Sequence, residues 1–297
     1  MEVFRDCLRS GDLDVRQSIL SELSRFYGYS IEECYVRCIE WETWSVNEWR
    51  ARERNSPEGL QDFYDTVQSW SFDLLWYSYL QAQGFGYPAA VLAVKYALER
   101  CPRGDHLDFG SGIGLTSQLF SRCGFASTAA DISKPLLAFA SWRIDEHGDQ
   151  VQFINLADTK LPTAAFDIVT AVDTLVHVRE LDEALRDLHR AIRPGGWLLT
   201  NFDVRDSDAV ESASHLHNDL VALEHRLERT GFRRTETLAG VTQVYQRIDP
   251  TTFVFRVRLW LLTLLLPARK LAALLNRMRW PTPKRILSLI TGSHQQK

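Results

Sequence analysis

The sequence predicts an α/β fold, a doubly wound, Rossmann-like sheet of seven strands with an N-terminal helical cap and a C-terminal basic helical extension. Three observations predict it. From Asp105 to about Ile248, short apolar runs alternate with helical patterns. A glycine-rich turn, Asp108-Phe109-Gly110-Ser111-Gly112-Ile113-Gly114, closes the first of those runs. Before it, apolar positions recur every three or four residues, and from Pro250 onward no Asp or Glu occurs. The chain divides on these patterns into an aromatic-rich helical part (1–99), a sheet-forming part (100–248) and an extension (249–297).

Within the first part, residues 12–99 read as helical. Ser30 with Glu33 three residues on is a capping-box start before apolar positions spaced three and four apart. Ser56-Pro57-Glu58-Gly59 is expected to break the block into two helical hairpins, and Gly84-Phe85-Gly86-Tyr87-Pro88 forms a loop before a helix over Ala89 to Arg100. Five of the nine tryptophans and eight of the nine tyrosines fall in the first hundred residues. That excess has two readings, a bulky core for a small helical layer or an aromatic cover excluding water from a site below.

The sheet part is expected to run in order through strands at His106–Phe109, Ser127–Asp131, Val151–Leu156, Phe166–Val172 and Trp197–Phe202. Helices over Ile113–Ser121 and Leu136–His147 follow the first two. A helix from about Ser207 to Thr230 leads to Gly231-Phe232, which opens a final pair of strands. A 297-residue chain with 45% hydrophobic and 24% charged residues can bury such a core and has no compositional mark of extended disorder. Five scattered cysteines, with no C-x-x-C pair and no zinc-like histidine spacing, imply a reducing compartment and no structural metal. Cys34 and Cys38, one helical turn apart, are expected to pack in a core. Met1 to Asp14 carries acids and no apolar run of the signal-peptide kind, so a cytoplasmic location is expected.

The glycine turn suggests a nucleoside cofactor, because glycines at alternate positions let a ligand approach backbone atoms closely. Its spacing is neither the G-x-G-x-x-G of dinucleotide sites nor the G-x-x-x-x-G-K-[ST] of phosphate loops. Asp108-x-Gly110-x-Gly112-x-Gly114 resembles the first motif of class I S-adenosylmethionine-dependent methyltransferases. The resemblance extends over residues 100–248 and is nearest the small-molecule branch that includes quinone-ring enzymes. It implies S-adenosylmethionine as cofactor, with Asp108, Phe109, Gly110, Ser111, Gly112 and Gly114 under its methionine and ribose portions. Asp131 closes the second strand and is placed to accept from both ribose hydroxyls, with Ile132 beside it; the alternative for Asp131 is a helix cap. Asp158 resembles the acid that binds the adenine amino group, but here Ala157 occupies the usual position five residues before Pro162. Phe166 to His177, including Val172, resembles the fourth-strand segment, and Arg193-Pro194-Gly195-Gly196-Trp197 the turn into the fifth.

A sulfonium methyl is already activated, so transfer needs alignment and, for oxygen or nitrogen acceptors, a base. His177 suits that base by its near-neutral pKa, or it holds only a positional role near a helix start. Asp173 either lines the acceptor side or caps that helix. The expected activity is methyl transfer to a small, hydrophobic or membrane-associated acceptor; a catalytically silent S-adenosylmethionine-binding scaffold and a nicotinamide dehydrogenase are the competing readings.

The net charge of −4 conceals an acidic body and a basic tail. Arg256, Arg258, Arg269, Lys270, Arg277, Arg279, Lys284, Arg285 and Lys297 are nine positive charges after Pro250, against a balance of −13 before it. The apolar run Leu259–Leu266 is far below the ~20 residues that span a bilayer. After Pro267, Ala268, Leu271, Leu275 and Met278 share one helical face, with Arg269, Lys270, Asn276 and Arg277 near the other. Two roles stand open for this tail, an interfacial helix on an anionic membrane or packing on the acidic body or a second copy. Nucleic acid is excluded as a partner by the acidic body and the lack of a binding motif.

Overall fold

In the computed structural model, all residues are described here except 53–55, 87, 203–215 and 280–297, together with the side chains of 57 and 276–279. Among the described residues, seven helices precede the first strand: α1 (Glu2–Asp6), α2 (Val15–Tyr27), α3 (Ile31–Ile39), α4 (Trp41–Ala51), α5 (Pro57–Tyr64), α6 (Ser69–Ala82) and α7 (Ala89–Arg100). The capping box at Ser30 and Glu33 starts α3 as expected, and Asp14 with Gln17 makes a second one at α2. The pair of hairpins expected on either side of Ser56–Gly59 is not what forms. Ser56 caps α5 by accepting from the Gly59 N–H (3.1 Å), and Pro57 takes the first helical turn, where its missing N–H is harmless. Ser-Pro here starts a helix and does not merely end one. Tyr87, in the expected loop, lies outside the described residues.

The sheet elements follow as β1 (Asp105–Phe109), α8 (Leu115–Arg122), β2 (Ala126–Asp131), α9 (Lys134–Glu146), β3 (Val151–Asn155), β4 (Phe166–Ala171), α10 (Leu181–Ala191), β5 (Ile192–Thr200), α11 (Leu220–Thr230), β6 (Phe232–Leu238) and β7 (Thr242–Arg247). Their order across the sheet is β3-β2-β1-β4-β5-β7-β6. The first five strands are parallel, and β7 runs antiparallel to both β5 and β6. The order reverses between β1 and β4, and such a switch point opens a crevice at the carboxyl ends of the strands. The helix expected from Ser207 starts later. Residues 207–215 lie outside the described residues, 216–219 are not helical, and the Asp219 carboxylate caps α11 at Leu220 by accepting from the Ala222 N–H (3.0 Å).

Two cores sandwich the sheet. On one face Leu107, Val169, Ile192 and Leu198 pack with α10 and α11 through Leu185, Leu188, Leu223 and Leu227. On the other, α8 and α9 share a single apolar cluster with the N-terminal helices, joining Ile19, Leu23, Phe72 and Leu75 to Phe120 and Phe139. Cys34 and Cys38 are fully buried there. A buried polar knot crosses this second core. The Arg143 guanidinium of α9 donates to Glu22 of α2 (2.8 Å), to Gln118 of α8 (2.7 Å) and to the Cys7 carbonyl, while His147 contacts the other Glu22 oxygen (2.7 Å).

Beyond the sheet, α12 (Phe253–Leu264) and α13 (Leu266–Arg279) lie against α11. Arg269 pairs with Glu224 and Glu228, and Lys270 with Asp219 (2.7 Å). Phe255 is buried, whereas Phe253, Val254, Val257, Trp260, Leu261 and Leu264 form an exposed stripe at helical spacing on α12. Trp260 is 62% exposed. The tail is held to the body by these ion pairs and by the buried Phe255, and within Leu259–Leu266 the side chains of Leu259, Leu262 and Leu266 are half-buried while Trp260, Leu261, Leu264 and Leu265 are exposed. No helix of the described residues is long and apolar enough to cross a membrane. Lys284, Arg285 and Lys297 lie outside the described residues, as do the side chains of Asn276, Arg277, Met278 and Arg279.

Candidate active site

The crevice at the switch point is a cavity of 1080 Å³ between the strand ends and the N-terminal helices. Small-ligand pockets run to roughly 1,000 Å³, so this one has room for two small molecules side by side. Its floor holds Phe109, Gly110, Gly112, Asp131, Ile132 and Val172. Asp173, Thr174 and His177 continue that floor past β4.

Local sequence explains the shape of the floor. Gly110 has φ +69°, and a Cβ there would stand 2.1 Å from the Thr174 methyl. Gly112 has φ +53°, and its Cβ would meet Leu74 of α6 at 2.7 Å. Both positions favour glycine by conformation, and Gly110 by space as well, since the three Thr174 atoms it would meet include the Cβ, whereas at Gly112 the terminal methyl of Leu74 can shift. Asp131 ends β2 with both oxygens in use: Oδ2 accepts from the Gly112 N–H (2.8 Å) and Oδ1 from the Ser133 N–H (2.9 Å). The cap of α9 is Ser133, so Asp131 ties the glycine turn to the strand end beside the helix start. Burial pushes its carboxyl above the usual range, opposed by those N–H donors.

Asp108 sits below the cavity, outside its lining. It is buried, with Oδ1 accepting from Thr170 (2.9 Å) and Oδ2 from Ser117 (3.1 Å). Burial pushes its pKa up to about 6. Beneath it His106 contacts Ser127 through Nδ1 (2.8 Å) and Thr170 through Nε2 (2.9 Å). Thr170 has one hydroxyl hydrogen; given to Asp108, it leaves Nε2–H of His106 as the donor to Thr170, which assigns the tautomer by elimination. Burial holds His106 well below its usual pKa, so the ring is neutral. The chain His106–Thr170–Asp108–Ser117 braces the turn from underneath.

Asp173 adopts a left-handed backbone, φ +51°, which Asp tolerates better than most residues. Its N–H donates to the Asn201 Oδ1 (2.9 Å), and the Asn201 amide donates back to its carboxylate. The short 3₁₀ turn Leu175–His177 that follows has Thr174 at its N-cap and no side-chain cap bond. Asp173 lines the cavity wall, and the residue at the N-cap of the turn is Thr174. His177, at the end of that turn, also faces the cavity.

Ala157 and Asp158 do not line the cavity. Both are exposed and held in a turn by Asn155, which accepts from the Ala157 N–H (2.9 Å) and donates to Asp158 (3.0 Å); Leu156 lines the cavity beside them. Ser111 and Gly114 also lie outside the lining, although the buried Ser111 hydroxyl has no hydrogen-bond partner among the described residues.

One face each of α4 and α6 forms the roof. Trp41, Ser45 and Trp49 on α4 share helical spacing with Glu42 and Val46; on α6, Trp70, Leu74, Tyr77 and Gln81 do so with Asp73. The two helices are joined by Trp70, whose indole N–H donates to Ser45 (3.1 Å), and by Glu48, which accepts the Gln68 and Ser69 N–H groups that open α6. Tyr64 of α5 completes the roof near Asp131; burial and that carboxylate raise its phenol above the usual range. The aromatic excess thus divides. Trp44, Trp76, Tyr27, Tyr29, Tyr35, Tyr79 and Tyr96 pack into the core, Trp41, Trp49, Tyr64 and Tyr77 line the cavity, and Trp70 does both. Asn201, Thr170, Tyr64 and the roof acids were not singled out by sequence. A polar residue just past β5 was the available signal for Asn201, and acids at helical spacing from Trp41 and Trp70 for the roof.

This arrangement fits S-adenosylmethionine on two grounds. Gly110 and Gly112 leave the backbone of the turn open to a ligand, and the Asp131 carboxylate stands at the adjacent strand end. Comparison with known proteins agrees. Residues 107–200 match the family described as a methyltransferase domain. Malonyl-[acyl-carrier protein] O-methyltransferase of Pseudescherichia vulneris is 31% identical over 155 residues, taking in 50% of this chain and 58% of that protein. Demethylmenaquinone methyltransferase of Thermus thermophilus is 34% identical over 111 residues, 36% of this chain and 50% of that protein. Phosphoethanolamine N-methyltransferase 1 of Arabidopsis thaliana is 26% identical over 199 residues, 62% of this chain and 40% of that protein. The chain spans about half the length of these curated relatives, or less.

Proposed function

We propose, from the premise that residues 107–200 form a methyltransferase domain of the class I S-adenosylmethionine-dependent kind, that this chain transfers a methyl group to a small acceptor with an apolar body. The observation that carries this reading is the two-molecule cavity at the switch point, floored by the glycine turn and Asp131 and roofed by aromatic side chains. S-adenosylmethionine supplies a sulfonium-bound methyl group that needs no further activation. Asp131 is assigned the ribose hydroxyls, and Gly110 and Gly112 let the ligand lie against the backbone. Asp108 acts from below, through Ser117 and the strand end, as a positioning residue. The roof excludes water and holds the acceptor in line, which supplies most of what such a transfer needs. Asp173, oriented by Asn201, and His177 stand where an acceptor proton leaves. Calorimetric titration tests the premise: S-adenosylhomocysteine is expected to bind with micromolar affinity and NAD not at all. Preference for NAD would overturn it.

The acceptor is reached at a membrane in this reading, with the protein cytoplasmic and peripheral on the inner face. The outward stripe on α12, the exposed Leu271, Leu274 and Leu275 on α13, and a tail without acids support it. Each basic residue near an anionic surface contributes about 1 kcal/mol. Wild-type protein is expected to sediment with phosphatidylglycerol vesicles, and the Trp260→Ser, Leu264→Ser double variant to stay largely in the supernatant. Equal sedimentation of the two would remove the membrane from the reading.

A further inference from the structure

We infer that Gln243 sets acceptor specificity by pairing its amide oxygen with a hydroxyl group on an otherwise apolar acceptor; this rests on the methyl-transfer reading and names the substrate class of that same site. Among the described residues whose buried polar atoms find no hydrogen-bond partner, Gln243 alone lines the cavity. The residue is half-buried, and its Oε1 is enclosed without a donor. An amide oxygen taken out of water in that way destabilises the fold unless something returns the bond. At Gln243 nothing among the described residues returns it.

Strand register gives the reason. β7 runs antiparallel to β5 with Gln243 opposite Thr200, and side chains opposite one another share a face of the sheet. Thr200 has one hydroxyl hydrogen and gives it to the Ala171 carbonyl (2.8 Å), so toward Gln243 it can only accept. The terminal torsion of a glutamine is broad and roughly two-fold, and a half-turn exchanges the two ends of the amide. Turned that way, the amide hydrogens have the Thr200 oxygen as a cross-strand acceptor, and the carbonyl oxygen is left for a donor from the cavity. The neighbouring amide, Asn201, is already committed to Asp173, accepting from its N–H and donating to its carboxylate. The other lining residues next to Gln243 in chain and register are Phe202, Gly240 and Val241, none with a polar side chain. A neutral oxygen in apolar surroundings suits a neutral donor, since a charged one would lose its hydration there. It also discriminates, because a ligand without the donor leaves it unpaired. An amide accepts a hydrogen bond without taking the proton. The hydroxyl at Gln243 is therefore a handle, and the atom to be methylated is the one turned toward Asp173 and His177.

Three naphthalenes of similar size test this on the full-length protein: 2-naphthol, which can donate, 2-methylnaphthalene, which has no polar group, and 2-acetylnaphthalene, which can only accept. Each is titrated by fluorescence into the wild type and Gln243→Leu, with and without saturating S-adenosylhomocysteine. The substitution is expected to weaken 2-naphthol at least tenfold and to leave the other two probes bound as tightly as before, or more so. The Tm of Gln243→Leu is expected to be unchanged or raised, because no hydrogen bond within the protein is lost. Affinity for 2-naphthol unmoved by the substitution, an equal or larger loss for either other probe, no binding of 2-naphthol to the wild type, or a lowered Tm overturns the inference. If S-adenosylhomocysteine fails to bind, the methyl-transfer reading falls; the probe affinities, measured without it, are a separate result.

Discussion

Replacing Arg143 by methionine is expected to cost the fold roughly 3–5 kcal/mol, because it strands the Glu22 carboxylate in the apolar interior. Both side chains are essentially inaccessible to solvent. Arg143 also satisfies the Gln118 amide oxygen and the Cys7 carbonyl, so three acceptors on three different segments lose a donor together. At this chain length the loss corresponds to a fall in Tm on the order of 10 °C. The double variant Glu22→Gln, Arg143→Met removes the stranded charge and is expected to recover much of the loss, since an apolar or neutral replacement of a whole buried pair is often close to neutral. Thermal unfolding followed by circular dichroism checks both; a double variant as unstable as the single one would mean the charge is not the cause. The same site sets an acid limit. Burial raises the Glu22 carboxyl, but the Arg143 charge and the hydrogen bonds from His147 and Arg143 outweigh it and hold the group below its usual value. A depressed acid binds fewer protons in the folded state, so its contribution is present above the ordinary carboxyl range and is lost as pH falls below it.

The second large effect is expected at Asp131. Asp131→Ala removes the acceptor for the Gly112 and Ser133 N–H groups and, in the proposed complex, the partner of both ribose hydroxyls. Hydrogen bonds to a charged group are worth about 1.5–3 kcal/mol each, so losing two weakens S-adenosylhomocysteine binding by roughly a hundredfold or more. Asp131→Asn keeps the shape and one acceptor and is expected to fall between the two. Calorimetric titration of the three proteins, with thermal unfolding as a control for folding, gives the answer. Wild-type affinity in Asp131→Ala would remove the residue from the cofactor site.

Much of the sheet was legible because its signals are local. Alternating runs, glycines at 110, 112 and 114, and acids at strand ends are each set by a few adjacent residues, and they place β1, β2 and β4 within a residue or two. Strand-end positions shifted where a turn competes, as at Leu156, which leaves β3 to begin the Asn155 turn. What sequence does not show is which distant residues meet. Glu22 and Arg143 are 121 positions apart, and nothing in either neighbourhood announces the other. The division of the aromatic residues between core and cavity wall has the same origin. Trp41, Trp44 and Trp49 lie on one short helix, and only the packing of α4 against α6 decides which of them meets a ligand. Asp173 and Asn201 are likewise joined by strand pairing of β4 with β5, not by spacing.

Leu74 stands directly over Gly112, on the helix that also carries Asp73, Trp70 and Tyr77. In the proposed complex donor and acceptor both lean on α6, so a ligand that moves this helix on one side alters the space on the other. Such linkage is reciprocal: whatever factor the donor applies to acceptor affinity, the acceptor returns to the donor. Under the proposed function, substitutions on α6 that change the preferred acceptor are expected to change the affinity for the methyl donor as well.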